Sequence, residues 1–402
     1  MLSYILLVFL IISVIISGAF VAYNVLFFLG HFFLKCKNGQ GNTEEDKKLN
    51  SFAVIIPAHN EELLIGRLIE SASNIDYPAE YTELIIVADN CIDQTADIAI
   101  ERGIKCLIRK DESNRGKPYA LDWALRQIAK DEYDAYVIID ADTTIDSAFL
   151  KAMNAKLNKG AEAIQGYFDI MNPRDSWLTR LAVLPGILKF KMRYAVKEKL
   201  KLSCPLMGNG MCFSRNIIEK YGWNAYSITE NWEYFVKLLL NGHRVNYEHN
   251  AIIYSHAVTA LSHGETQRKR WLKGQLGVLF DYYKDIIKRV VMNKSIVALD
   301  ALIELLLPSY SMLLIWTIGT FFILVFLSWI DVRYIWLRNT SAVLVLAQVI
   351  YCLYAFALSK PSVKTWISLA YIPLFLFWKL VVTIKGVFEL KDKTWVKTDR
   401  RL

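Results

Sequence analysis

Apolar residues along this chain fall into two blocks that flank a long stretch of mixed composition. From Leu2 to Leu34 the chain is nearly free of charge and then meets Lys35 and Lys37, which predicts a spanning helix whose C-terminal end faces the cytosol. That stretch is too long for a signal-peptide core and lacks a basic start, so cleavage is not expected. Three further apolar segments come late, at Leu302 to Ile330, Ser341 to Ser359 and Trp366 to Ile384. Three full crossings would place the basic tail, with Lys385, Lys391, Lys393, Lys397, Arg400 and Arg401, outside the cytosol, against the positive-inside bias. Pro373 and the mid-segment Lys379 mark the last segment as the one that lies along the interface or enters part-way.

Between the blocks the pattern changes to short β-branched runs separated by helical periods. Ser51 to Pro57, Leu84 to Ala88 and Ala135 to Ile139 have the character of buried parallel strands. Helical stretches follow: one with Leu64, Leu68 and Ile69 in phase, one at Thr95 to Arg102, and one at Pro118 to Ile128. Strands alternating with helices predict βαβ units, whose ligands bind beyond the carboxyl ends of the strands. Polar clusters sit at those ends: Pro57-Ala58-His59-Asn60-Glu61, Asp89-Asn90, and Asp140-Ala141-Asp142.

Composition narrows the class. Of 402 residues, 54% are hydrophobic, more than soluble proteins carry, so part of the chain is expected in lipid. The net charge of +8 lies mostly beside apolar segments, as in Lys189, Lys191, Arg193, Lys197, Lys199 and Lys201, which favours membrane lipid as partner over nucleic acid. Six cysteines without CxxC spacing read as reduced thiols and argue against a zinc site or a disulfide framework.

Several motifs carry chemistry. Asp140 and Asp142 leave a buried strand two residues apart, so extended backbone puts both carboxylates on one side, where a hard divalent cation bridging a diphosphate needs oxygens. A bare Asp-x-Asp is also common in surface turns; the preceding strand counts against that. Lys117 follows Gly116 at a helix start and can meet a phosphate. Glu230 and Glu233 open a further helical pattern, where acids also serve as N-terminal helix charges. Gln267, Arg270 and Trp271 begin an amphipathic helix with Leu272, Leu276 and Leu279, which suits a membrane interface. His256 and His263 read as structural or solvated.

In sequence order, Pro57 to Glu61, Asp89, Gly116-Lys117, Asp140-Ala141-Asp142, Gln165-Gly166, Gly208-Asn209-Gly210, Thr229-Glu230 and Gln267-x-x-Arg270-Trp271 resemble the membrane-integrated family 2 glycosyltransferases, the group of cellulose, hyaluronan and poly-N-acetylglucosamine synthases. The resemblance runs from about Phe52 to Leu279 and implies an α/β GT-A domain, a Rossmann-like mixed sheet, flanked by transmembrane and interfacial helices. It also implies a UDP-sugar donor, Mg2+ or Mn2+, and a polysaccharide or lipid-linked glycan acceptor. Pro57, His59 and Glu61 would line the nucleoside, Asp89 the uracil, Lys117 the phosphates, Asp140 the ribose or diphosphate, and Asp140 and Asp142 the metal. Gln267, Arg270 and Trp271 would line the acceptor and the diphosphate. The tail Trp395 to Arg400 is similar to a gating loop of such synthases.

The family's Thr-Glu-Asp supplies its base from the aspartate, and here Asn231 stands in that place. An amide cannot act as the base, so either Glu230 or Glu233 takes the role, with Glu230 preferred, or the protein uses a different arrangement, or the asparagine is an Asp-to-Asn change that blocks turnover. The expected organisation is an N-terminal transmembrane helix (1–36), a cytosolic domain (50–265), interfacial helices (266–300), membrane segments (301–390) and a basic cytosolic tail (391–402). The expected location is a bacterial inner membrane. A processive polysaccharide synthase is the first expectation, single-sugar transfer to a lipid-linked acceptor the second, and a catalytically silent nucleotide-sugar-binding subunit the third.

Overall fold

The computed structural model describes residues 2–34, 48–129 and 131–389. Lys35, Lys37 and the tail motif Trp395 to Arg400 lie outside the described residues. Helix α1 (Leu2–Phe33) leads to a run of strands and helices: β1 (Phe52–Ala58), α2 (Ile65–Ser73), β2 (Thr82–Asp89), α3 (Thr95–Glu101), β3 (Lys105–Arg109), α4 (Lys117–Gln127) and β4 (Ala135–Ile138). The three expected strands and their helices are therefore present, and β1 pairs in parallel with both β2 and β4.

The second half of the sheet was not legible as strands. It comprises β5 (Thr143–Ile145), α5 (Phe149–Asn158), β6 (Ala163–Ile170), α6 (Trp177–Gly186), a π-helical turn (Ile187–Tyr194), α7 (Ala195–Lys199), β7 (Met211–Ser214), α8 (Arg215–Tyr221), α9 (Glu230–Leu240) and β8 (Val245–Ser255). The order is β3-β2-β1-β4-β7-β6-β8-β5, and β7 runs antiparallel to β4 and β6, so the sheet is mixed. Alternation along β1 feeds two cores. Ala53 and Ile55 face α4, α9 and the helices that follow the sheet, while Phe52, Val54 and Ile56 face α2, α3 and α5.

The rest is helical: α10 (Leu261–Asn293), α11 (Ile296–Leu306), α12 (Tyr310–Ile330), α13 (Ile335–Leu358), α14 (Val363–Ile367) and α15 (Ile372–Phe388). The expected segment Leu302 to Ile330 is thus two helices, divided at Pro308, where a continuous helix would lose a hydrogen bond and clash. Four stretches are long and apolar enough to cross a membrane: Tyr4–Phe33, Tyr310–Ile330, Val332–Leu358 and Val363–Phe388. Helix α1 packs through Leu10 and Val14 against Leu324 and Leu337, and Trp316 donates to Ser13 at 2.8 Å.

The last stretch is tied to α6 in its first half and to α10 at its finish. At its start, Tyr371 stacks on Trp177 with ring centroids 5.0 Å apart, and Arg180 donates to Ser368 at 3.4 Å. At its finish, Glu389 pairs with Lys269 at 2.9 Å and Lys385 with Glu265 at 3.4 Å. Length permits a crossing, yet both ties are to helices outside the four candidate spans, which favours one membrane side for both. A reporter fused behind Leu402 is therefore expected on the same membrane side as one inserted at the exposed turn around Gly103. Opposite readings from the two fusions would show that Val363–Phe388 spans.

Candidate active site

Because β1, β2 and β4 are parallel, their carboxyl ends open on one edge. Pro57 lies in the last turns of β1, and just beyond it His59 Nδ1 meets the carbonyl of Asp89 at 2.7 Å. Asn60 and Asn90 have φ of 54° and 52°, a left-handed conformation that asparagine tolerates, and they turn the chain at two neighbouring strand ends. The Glu61 amide donates to Thr95 Oγ1 at 2.8 Å, which fixes the turn on the start of α3. Asp89 ends β2 and is buried. Its Oδ1 accepts from Arg109 at 2.5 Å and from Asn90 at 3.1 Å.

Arg109 was not anticipated. It is also buried, and it reaches Asp111 at 2.7 Å and the carbonyl of Asn114 at 2.8 Å, so one guanidinium ties the loop before Lys117 to Asp89. A basic residue closing an apolar strand run was the available signal.

Lys117 opens α4 behind Gly116, whose φ of 106° suits glycine. The Lys117 ammonium bonds both the Asp140 carboxylate and the carbonyl of Gly208. The Asp140 amide donates to Asn209 Oδ1 at 3.0 Å, Asn209 in turn donates to Thr143 at 2.8 Å, and buried Gln165 donates to the carbonyl of Asn209 at 2.9 Å. Gln165 and Asn209 thereby hold the Gly208 to Gly210 loop over the end of β4. Gly210 has φ 64°, a left-handed conformation that favours glycine, and a Cβ there would press on Ile253 Cδ1 at 2.8 Å.

Asp142 lies on the turn between β4 and β5, partly buried. Among the described residues no group of three or more His, Cys, Asp or Glu could hold a metal ion. The donor set at Asp140 and Asp142 fits a hard divalent cation that takes its remaining oxygens from a diphosphate and water. The ammonium of Lys117 already places positive charge against Asp140. His256 instead bonds Arg67 at 2.8 Å.

Helix α9 brings in the acids. Burial raises the Glu230 carboxyl above the usual range; Lys117 and Arg270 pull it back, and Asp140 adds to the rise. Lys117, Asp140, Glu230 and Arg270 are therefore one electrostatic cluster. Asn231 donates to the carbonyl of Leu206 at 2.6 Å, which anchors the loop ahead of Gly208. Glu233 accepts from the amides of Tyr226 and Ser227 at 2.9 Å and 2.8 Å and pairs with Lys237 at 2.7 Å, so its carboxylate is engaged by the loop ahead of α9 and by its own helix.

Gln267, Arg270, Trp271 and Gly274 stand at i, i+3, i+4 and i+7 of α10 and share one face. That face lies on the N-terminus of α9. A Cβ at Gly274 would come 2.1 Å from Thr229 Cγ2, a close approach that only glycine allows. Trp271 is about half exposed, at 52%, on the rim of the site. Gly274 completes the periodicity of the Gln267 motif, and that phase was the missed signal.

A family model described as "Glycosyltransferase like family 2" matches residues 50–274. The chain is 26% identical over 245 residues to a beta-monoglucosyldiacylglycerol synthase of a Nostoc species, covering 59% of this chain and 51% of that one. It is 25% identical over 269 residues to the poly-beta-1,6-N-acetyl-D-glucosamine synthase of Staphylococcus aureus, covering 64% and 63%. The matched stretch thus spans between about half and three fifths of these relatives. The mannosyltransferase PcManGT from Pyrobaculum calidifontis, solved with GDP-Man and Mn2+, aligns with a TM-score of 0.55 at 17% identity over 94% of this chain and 99% of that one, so the two share a fold.

Gly274→Ala is expected to force α10 off α9, lowering stability by about 1–3 kcal/mol as overpacking does and displacing Arg270. Thermal unfolding in detergent together with sugar transfer checks this; an unshifted midpoint with full activity would contradict the close approach.

Proposed function

The chain belongs to glycosyltransferase family 2 and carries a GT-A sheet domain, and from that premise we propose that it transfers one sugar at a time, with inversion, from a UDP-sugar to a lipid-borne hydroxyl. The observation that carries the reading is the convergence of Lys117, Asp140, Glu230 and Arg270 at the strand ends, on the face of α10 next to the membrane helices. In the same reading the catalytic domain faces the cytosol at a bacterial inner membrane.

His59 and Asp89, linked at the end of β2, with Pro57 and Glu61 beside them, receive the nucleoside. Lys117 exchanges its contact with Asp140 for the departing diphosphate, and Arg270 meets the same charge from α10. A preorganised donor of this kind is typically worth about 3–4 kcal/mol. Mg2+ or Mn2+ at Asp140 and Asp142, when bound, neutralises charge on the leaving diphosphate. The Glu230 carboxylate takes the proton of the acceptor hydroxyl as its oxygen bonds to the anomeric carbon and the bond to diphosphate breaks. Asn231 positions the Leu206 to Gly210 loop, and Trp271 and Gln267 border the acceptor.

Single transfer to lipid is favoured over polymer export by the membrane helices. Where α1, α12 and α13 meet, Leu10, Val14, Leu324 and Leu337 are buried, the polar residues among them (Ser13, Thr317, Thr320, Ser341 and Gln348) bond chiefly to one another, and the large cavity beside α12 and α13 is lined almost wholly by apolar residues. A growing polysaccharide needs a hydrated, hydrogen-bonding path. The polymer reading keeps the support of the Staphylococcus relative's name, and product length from donor alone separates the two.

Glu230→Gln is expected to lower transfer by about 10²–10⁴-fold with donor binding retained. Equal rates in the two proteins would remove Glu230 from the base role. The raised carboxyl also fixes two signs. Only the ionised form can accept a proton, so transfer in the unaltered chain falls with decreasing pH at values above those of an ordinary glutamate. A carboxyl raised on folding makes the fold less stable as pH climbs through that value, so Glu230→Gln is expected to raise the unfolding midpoint at pH 7. A lowered midpoint would mean that ionised Glu230 is stabilising.

A further inference from the structure

A second charged cluster lies where the sheet domain meets α1 and α11, and the chemistry at the strand ends does not use it. Arg193 pairs with Glu304 at 2.9 Å, and Lys197, fully buried, pairs with Asp300 at 2.9 Å and Glu304 at 2.8 Å. Tyr23 of α1 donates to Asp300 at 2.8 Å and to Glu304 at 3.2 Å. Burial works against the ionised Glu304, yet Arg193 and Lys197 outweigh it and hold the carboxyl down at about 2.

These two carboxylates are consumed by two of the three cations. The third, Lys189, sits on the same π-helical turn, a distortion often found at functional sites. Among the described residues its ammonium has one hydrogen-bond partner, the thioether of Met207 at 3.8 Å, a weak acceptor. Burial and the nearby Arg193 push Lys189 down to about 8.

Two further donors nearby are unsatisfied. Arg193 Nε and the hydroxyl of Tyr351, which is 2% exposed, are buried without a hydrogen-bond partner. Each unmade bond of this kind costs about 1–3 kcal/mol. Lys189 and Arg193 stand four residues apart on the π-helical turn, Tyr351 packs against Ile187, Leu188 and Met192 of that same turn, and Arg193 and Tyr351 meet Asn24 and Phe28, one turn apart on α1. All are donors, and a multivalent anion is what such a set accepts.

The surroundings say which anion. Met207 adjoins Gly208, whose carbonyl holds Lys117, so Lys189 stands beside the active-site loop. A cavity of about 680 Å³ opens between α6, α12, α13 and α15, lined by Leu184, Leu314, Ile318, Phe322 and Leu353. Leu184 precedes Lys189 by about one turn. Gln348 and Cys352, on the same wall, flank Tyr351.

We infer that Lys189, with Arg193 Nε and the Tyr351 hydroxyl, binds the phosphate of an anionic lipid acceptor whose hydrocarbon occupies this cavity. This rests on the lipid-acceptor reading and narrows it to a phosphate-bearing lipid. Inorganic phosphate offers the same head chemistry without the chain.

The test uses the full chain in uncharged detergent micelles and measures binding of dioleoylphosphatidylglycerol, dioleoylglycerol and inorganic phosphate, with UDP binding as an independent readout. The phosphatidyl lipid is expected to bind at least about tenfold tighter than dioleoylglycerol. Inorganic phosphate is expected not to displace it. Lys189→Gln is expected to abolish the preference and Lys189→Arg to keep it, both with UDP binding unchanged.

The unaltered chain supplies a second measurement that needs no variant. Arg193 of its own turn and Glu304 of α11 act on Lys189 directly; around those two stand Lys197 of α7, Asp300 of α11, Tyr23 of α1 and Tyr351 of α13, and Tyr194 and Tyr247 pack with Met207. Only Lys189 among them changes charge near pH 8, so the preference is expected to fade as pH rises through that value, and to persist in Lys189→Arg. A preference unchanged by Lys189→Gln or by pH, or equal displacement by inorganic phosphate, overturns the inference. Loss of UDP binding in every form, with the lipid preference intact, would count against the transferase reading and leave the lipid site standing.

Discussion

Helix α10 carries Arg270 to the strand ends only because Gly274 lets its backbone close on Thr229 to a distance that any β-carbon would prevent. The sheet edge and the membrane-facing helices are separate structures until that contact joins them. On one side stand Lys117 and Asp140, fixed by parallel strands and by the Asn209 and Gln165 hydrogen bonds. On the other stand Arg270 and Trp271, fixed by a helix that continues for 33 residues against α9, α11 and α15. Glu230 lies at the seam, where both sides act on its proton.

The same seam bears on the base role proposed for Glu230. A carboxylate fully paired with Lys117 or Arg270 would be a poor proton acceptor. Lys117 is engaged by Asp140 and the carbonyl of Gly208, so Glu230 feels its charge without a direct bond, and burial keeps the carboxyl raised. Glu233, three residues on, shows the opposite case, with two backbone donors and Lys237 holding it below the usual range despite burial.

The first half of the sheet was readable because β1, β2 and β4 are continuous apolar runs that end in polar clusters. The second half was not, because β7 is four residues long and β8, Val-Asn-Tyr-Glu-His-Asn-Ala-Ile-Ile-Tyr-Ser, mixes polar and apolar positions and takes its place from partners distant in sequence. Residue types placed Lys117, Asp140, Glu230 and Arg270 among the candidates, but their mutual arrangement depends on packing that spacing does not encode. Arg109, Gly274 and Lys189 each looked like an ordinary loop or helix residue. Each gains a role only through a neighbour far along the chain: Asp89, Thr229 and Met207.

The central claim is that the strand-end cluster turns over a nucleotide sugar in the presence of a divalent ion. It is tested most directly by transfer from a panel of radiolabelled UDP-sugars in native membranes with Mn2+, comparing the unaltered chain with Asp142→Ala. Transfer from at least one donor that disappears in Asp142→Ala is the predicted result. Silence of the unaltered chain with every donor, or transfer that survives Asp142→Ala undiminished, would contradict it.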